Sequence, residues 1–320
     1  MTFHELAQPL RGIIVPMITP LAAADELDEP GLERLVDHLV AGGVHGLFLL
    51  GTCGEGPSLS GRLRRRLVTR VCAQVDGRIS VLVGITDTCH AESLALAAHA
   101  AEAGADAVVL APPFYYPVSQ AELLAYSQRL AREVPVPLVL YNMPSLTGVS
   151  FEPATVRALL DEPALVGVKD SSGDLDYFRQ VREITRQRSD WTLLVGPEHL
   201  LAEAMKLGGD GGVSGGANIW PQLFVAVYDA ATAGRDDQVA QLMEKVVCLG
   251  RTYRTGRVHV SSVIQGLKTS VSVLGIASGL MAPPLEAPSA DAVRQIAAII
   301  ESLCIPQAVA GDAPHPTPSP

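Results

Sequence analysis

One recurrence limits what this chain can fold into. From residue 12 to about 235 a single unit returns: a short apolar segment, a loop, then an amphipathic stretch at helical spacing. The strand candidates are Gly12–Ile18, Val44–Leu50, Ile79–Gly84, Ala107–Leu110, Pro137–Tyr141, Leu165–Lys169, Leu193–Val195 and Gly211–Ser214. Most begin about 30 residues after the one before, the length of a strand–helix–strand unit. They are rich in Val, Ile and Leu with little polar alternation, as expected of parallel strands covered on the outside by helices. Between them, Glu92–Ala103 and Ala121–Arg132 carry apolar residues at helical spacing. In "AEAGADAVVL" an Ala-Gly pair stops a helix and the next strand follows at once. Eight such units in series suit a closed (β/α)8 TIM barrel better than an open doubly wound sheet. The absence of a G-x-G-x-x-G after the first strand weakens the dinucleotide-binding alternative.

Beyond about 235 the strand pattern ends. Helical patterns run through Gln238–Thr252, Ser262–Leu274 and Ala290–Leu303. The expected organisation is a barrel carrying the active site over 1–235, a helical region over 236–305 and a disordered tail over 306–320, where "PQAVAGDAPHPTPSP" is polar and Pro-rich.

Composition removes several classes of function. Of the 320 residues 48% are hydrophobic and 18% charged, so a large core is easy to build. The net charge of −10 argues against nucleic acid, whose phosphates need a basic face. Arg62, Arg64, Arg65 and Arg66 cluster on an expected helix, where a solvated face explains them better than a binding patch. Met1 to Arg11 shows no basic segment followed by an apolar core, and no run of ~18 apolar residues suggests a membrane span. Five thinly spread cysteines without a C-x-x-C pair are expected to be reduced thiols in a cytoplasmic protein. The eight histidines show neither H-x-H nor H-E-x-x-H spacing, so no metal site is expected. "LGGDGGVSGGAN" lacks the Lys-Ser/Thr ending of a phosphate loop and suits tight turns at a barrel rim.

Barrel enzymes place reacting groups where strands end and loops begin. Four such places carry unusual residues: "LLGTCGEGPSLS", "LAPPFYYP", "VLYNMPSLTG" and "VGVKDSSGD". Lys169 ends an otherwise apolar strand. Alternation sets Gly167 and Lys169 on one side and Val166 and Val168 on the other. If the valines face the helices, Lys169 points into the barrel mouth and Gly167 leaves room beneath it. Desolvation favours the neutral amine, which a lysine nucleophile requires. A structural ion pair with Asp170 or Glu55 is an equal alternative from position alone. Tyr141 ends the preceding strand and can point inward beside Lys169 to move protons, or it can be a core tyrosine tied to a backbone carbonyl. The glycines of "GTCGE" free backbone amides around Thr52 and Cys53 to cradle a carboxylate, although a tight turn without ligand reads equally well. Cys53 has no apparent histidine partner that would make it a nucleophile.

With these residues laid out, the chain resembles the dihydrodipicolinate synthase/N-acetylneuraminate lyase family of class I Schiff-base lyases and aldolases. The similarity runs from Gly12 to about 303. It rests on "GTCGE", close to G-T/S-T-G-E, on "YNMPSLTG", close to Y-N-x-P-x-x-T/S-G, and on the lysine of "GVKDSSGD", in the family's order and spacing. The resemblance implies that Lys169 forms an imine with a 2-oxo acid and that Tyr141 is the general acid/base. It implies that Thr52, with the Thr52–Cys53 backbone, holds the carboxylate and relays protons. Tyr115 matches a tyrosine that completes the relay from a neighbouring subunit, implying at least a dimer, with tetramers usual among relatives. Val213, Ser171 and Glu198, with His199, are the implied surroundings of the substrate, while Gly215 and Gly216 supply no side chain there. No metal or organic cofactor is implied.

Two departures bear on substrate. Dihydrodipicolinate synthases carry an arginine where this chain has Leu146, and leucine cannot make a bidentate carboxylate contact. Cys53 replaces a hydroxyl residue and removes one hydrogen bond to the carboxylate. The expected activity is reversible aldol cleavage of a 2-oxo acid, a 2-keto-3-deoxy sugar acid, to pyruvate and an aldehyde. A Schiff-base sugar-acid dehydratase, a dihydrodipicolinate synthase-type condensation disfavoured by Leu146, and a non-catalytic 2-oxo acid binding protein are the alternatives.

Overall fold

A computed structural model describes residues 9–255 and 259–305. The proposed tail over 306–320 lies outside the described residues. Eight parallel strands close into a barrel: β1 (Gly12–Pro16), β2 (Gly46–Leu49), β3 (Ser80–Gly84), β4 (Ala107–Leu110), β5 (Leu138–Asn142), β6 (Leu165–Asp170), β7 (Thr192–Val195) and β8 (Gly211–Val213). Each pairs with the next, and β8 returns to β1 through Gly12↔Gly211 and Ile14↔Val213. All eight fall within or beside the segments expected from sequence. The first is shorter than expected because Pro16 has no N–H to donate, although the Met17 N–H still reaches the Phe48 carbonyl at 3.0 Å. The second stops before Leu50, whose φ of 59° leaves the extended region. A small antiparallel hairpin, Leu21–Ala23 with Glu26–Leu27, lies between β1 and the first helix in sequence.

A helix follows every strand: α1 (Glu29–Ala41), α2 (Gly61–Val75), α3 (His90–Glu102), α4 (Gln120–Glu133), α5 (Pro153–Leu159), α6 (Leu175–Thr185), α7 (Leu201–Lys206) and α8 (Pro221–Thr232). Their ends obey local chemistry. Ser119 caps α4 in a reciprocal box with Glu122. After α3, Gly104 takes a φ of 92°, the stop read from "AEAGAD". Among the described residues three helices, α9 (Asp236–Leu249), α10 (Val260–Val273) and α11 (Ala290–Ser302), follow the barrel. The expected Gln238–Thr252 helix instead breaks at Leu249 into a 3-10 turn, Gly250–Arg254.

The strands separate two apolar clusters. Inside the barrel are Ile14, Phe48, Leu82, Val109, Val139, Leu194 and Val213; outside, between strands and helices, lies the larger core. This double burial is why the strands read as continuous apolar runs. The arginines of α2 do more than face water: Arg62, Arg64, Arg65 and Arg66 each meet a carboxylate, from Asp25, Asp87, Glu92 and Glu29. Among the described residues no helix is long and apolar enough to cross a membrane.

Candidate active site

The C-terminal ends of β2, β5, β6, β7 and β8 surround one cavity of about 410 Å³. Lys169 stands on the last turn of the β6 pleat opposite Tyr141 of β5, in register. Both are nearly buried, at 5% and 6% exposure. The Lys169 Nζ lies 3.8 Å from the centre of the Tyr141 ring and 4.8 Å from that of Phe48, a placement over aromatic faces. Neither expected ion pair forms. Glu55 is taken by Lys268, and Asp170 accepts from the Asn142 amide at 2.9 Å and from Ser172. Burial raises the Asp170 carboxyl above its ordinary range, against those hydrogen bonds. The amine is therefore left facing the cavity.

Two expectations about this strand need correction. Val168 packs outward, but Val166 joins the barrel interior, because the β5–β6 pairing slips by a residue between Leu138↔Leu165 and Val139↔Gly167. Gly167 does not clear space beneath Lys169. The room it leaves is filled by Thr192 of β7, whose side chain and backbone a Cβ would strike.

The loop after β2 presents Thr52 and Cys53. Leu50 and Glu55 bracket it in left-handed conformations, at φ 59° and 55°, so the chain doubles back within a few residues. The Thr52 hydroxyl lies 3.1 Å from the Tyr141 hydroxyl, either atom donating. Tyr141 is thus tied to a side chain that can pass a proton, not to a backbone carbonyl. Among the described residues no backbone carbonyl accepts from the amides of Thr52 or Cys53. Burial pushes the Cys53 thiol up to about 11, which removes it as a nucleophile at neutral pH.

Ser171, Val213, Glu198 and His199 also line this cavity. Glu198 follows β7 and accepts from the Gly216 amide and from the Tyr253 hydroxyl at 3.3 Å. Burial pushes its carboxyl up to about 7 despite those two donors, and burial beside Glu198 drives the Tyr253 phenol well above its ordinary range. Gly216 contributes by having no side chain: a Cβ there would come within 2.7 Å of the Tyr253 hydroxyl. Tyr253 was not legible in the sequence. It sits in the 3-10 turn after α9, away from any strand end, together with Arg251 and Arg254, which also line the cavity. Phe48, beneath the amine, reads from sequence only as core.

Two residues stand apart. Tyr115 is 82% exposed, with a φ of 83° and its ring edge-on to Tyr116 at 5.0 Å; it does not line the cavity. Leu146 lines an adjoining cavity of about 320 Å³ on the far side of the Thr52–Tyr141 pair, with Phe114, Met143 and Ile264. Among the described residues no three His, Cys, Asp or Glu side chains gather as a metal site would require.

The model of the dihydrodipicolinate synthetase family matches residues 9–303. The chain is 34% identical over 279 residues to the putative 2-dehydro-3-deoxy-D-gluconate aldolase YagE of Escherichia coli K12, covering 85% of this chain and 92% of that one. It is also 34% identical over 281 residues to the 4-hydroxy-tetrahydrodipicolinate synthase of Methanopyrus kandleri, covering 87% and 91%. Among solved structures, the dihydrodipicolinate synthase of Bacteroides thetaiotaomicron superposes with a TM-score of 0.89 at 44% identity, covering 93% of this chain and all of that one. YagE in complex with pyruvate superposes at 0.87 and 30% identity, covering 92% and 99%. A lysine, a tyrosine and a threonine converge on one barrel mouth, and the match spans almost the whole length: the chain belongs to the dihydrodipicolinate synthetase family.

Proposed function

We propose that this protein is a class I aldolase that cleaves a 2-keto-3-deoxy sugar acid to pyruvate and an aldehyde, and joins them in reverse, through an imine on Lys169. The observation that carries this reading is Lys169 Nζ against the Tyr141 ring, with the Tyr141 hydroxyl 3.1 Å from Thr52, in one cavity.

The amine adds to C2 of the 2-oxo acid, and Tyr141 protonates the departing hydroxyl so that water leaves and the imine forms. The free amides of Thr52 and Cys53 hold the carboxylate. Tyr141 then accepts the proton of the C4 hydroxyl. The C3–C4 bond breaks, its electron pair moves into the C2–C3 bond and that of C=N onto nitrogen, and the aldehyde departs from an enamine. Return of a proton to C3 and hydrolysis release pyruvate and free Lys169. The imine is the electron sink, so the chemistry calls for no metal.

The curated relatives named as 2-dehydro-3-deoxy-D-gluconate and 2-dehydro-3-deoxy-D-pentonate aldolases support this substrate class. A condensation of the dihydrodipicolinate type finds no guanidinium at Leu146 for a second substrate's carboxylate. Tyr115, exposed beside Tyr116, is suited to completing the proton relay of another subunit in a homo-oligomer.

The test is borohydride reduction in the presence of pyruvate, read by intact mass and peptide mapping beside Lys169→Ala. A reduced adduct on Lys169, absent from the variant, and pyruvate release from 2-keto-3-deoxygluconate are expected. Failure to trap pyruvate or longer 2-oxo acids overturns the imine. Retention of all substrate carbons in one product would make the protein a dehydratase instead.

A further inference from the structure

The barrel supplies only the inner half of the cavity. Its outer half is built by the helices that follow: Val246 and Val247 from α9, Arg251 and Arg254 from the 3-10 turn, and Val263 from α10. The arginines of α2 are paired with carboxylates, and Arg34 and Arg78 donate to backbone carbonyls. Among the described residues neither Arg251 nor Arg254 has an ion-pair or hydrogen-bond partner. They are three apart in a 3-10 turn, where positions i and i+3 eclipse and bring like charges to one face. That arrangement carries a repulsive cost unless an anion lies between them.

The charges facing the cavity do not balance without such an anion. Among the described residues Lys169, Arg251, Arg254 and the imidazole of His199 are the basic groups of its lining, and Glu198 is its one carboxylate. Both Glu198 oxygens are already engaged, by the Gly216 amide and the Tyr253 hydroxyl. The carboxylate beside C2 of a 2-oxo acid belongs at the inner end, near Thr52 and Lys169. It leaves the mouth uncompensated.

Building on the proposed imine chemistry, we infer that Arg251 and Arg254 form a subsite for a terminal anionic group on the aldehyde half of the substrate. The preferred substrate is then a 2-keto-3-deoxy acid whose far carbon is a carboxylate or a phosphate ester and not a neutral hydroxymethyl group. The valines hold the intervening carbons without competing for the charge, and the paired guanidiniums present planar forks suited to either oxyanion.

The subsite can be read without knowing the physiological substrate. Half-saturation of borohydride trapping is measured for pyruvate, 2-oxohexanoate and 2-oxoadipate, the last two equal in length and differing in the terminal carboxylate. Wild type is compared with Arg251→Gln/Arg254→Gln. Wild type is expected to favour 2-oxoadipate over 2-oxohexanoate by on the order of tenfold, as two solvent-accessible charge pairs allow. That preference falls to about unity in the double variant and in high salt, while pyruvate trapping does not change. Equal half-saturation of the two longer acids in wild type, or a double variant that weakens pyruvate and both longer acids alike, overturns the subsite and leaves the imine standing. No adduct with any of the three overturns both. Turnover of 2-keto-3-deoxyglucarate against 2-keto-3-deoxygluconate 6-phosphate then separates the carboxylate from the phosphate source, and a wild type that prefers unphosphorylated 2-keto-3-deoxygluconate to both also overturns the subsite.

Discussion

Lys268 on α10 reaches through the core to Glu55, three residues past Thr52 in the loop that faces the active site. Both side chains are fully buried and form an ion pair. The Lys268 Nζ also donates to the Leu280 carbonyl at 2.6 Å, and Glu55 Oε2 accepts from the Ala282 amide at 2.7 Å. Burial pulls the Lys268 ammonium below the ordinary lysine range, and the Glu55 carboxylate opposes it. The pair fastens the left-handed turn at Glu55 to the helices beyond the barrel. Lys268→Met keeps the volume and removes the charge. It leaves a buried carboxylate with one amide donor and orphans the Leu280 carbonyl. Breaking such a pair from one side costs about 3–5 kcal/mol. With an unfolding entropy of about 2.1 cal/mol/K per residue, a chain of 320 residues should lose about 4–8 °C in Tm. Glu55→Gln in the same background removes the stranded charge and keeps an acceptor for Ala282, so the double variant should recover a large part of the loss. The assay is urea and thermal unfolding of the four members of the cycle, at one pH and one protein concentration. A loss below about 1 kcal/mol for Lys268→Met, or a double variant as unstable as the sum of the singles, would refute the reasoning.

Other expectations follow from the site. Tyr141→Phe keeps the ring under Lys169 and removes only the hydroxyl, so kcat should fall by about 10²–10⁴, with circular dichroism unchanged; a fall below threefold would remove Tyr141 from the proton path. Glu198 is pushed up to about 7, so the native state binds its proton more tightly than the unfolded chain, and this group adds stability as pH falls from about 7 toward the ordinary glutamate range. Glu198→Gln should flatten that part of the stability–pH curve and remove any inflection near pH 7 in kcat/KM; curves of unchanged shape would count against it. Cys53→Ser restores a hydroxyl donor to a bound carboxylate and should lower half-saturation by pyruvate about tenfold, as measured by trapping.

The sequence alone made the barrel legible, because strand burial is local, and the resemblance of its motifs pointed to the residues at its centre. Parallel strands buried on two sides must be continuously apolar, and eight of them in series suit a closed barrel better than an open sheet. A lysine or tyrosine at the end of such a strand can face the barrel mouth or pack as structure, and the resemblance of the motifs chose between the two. Lys169, Tyr141 and Thr52 could therefore be placed by alternation and motif, and the structure puts them in one cavity. What alternation could not supply was the slip in pairing at Val166, which depends on how β6 meets its neighbour. Nor could it reveal that Gly167 serves Thr192 across the sheet. Tertiary structure alone decided which groups meet across long separations. Tyr253 reaches Glu198 over 55 positions and Lys268 meets Glu55 from the far end of the chain. Arg251 and Arg254 arrive at the mouth on a turn that the sequence pattern ran together with α9. Periodicity records which face of an element is buried but not what it is buried against; the chemistry lies on strand ends, while the groups around it come from helices whose docking no local pattern encodes.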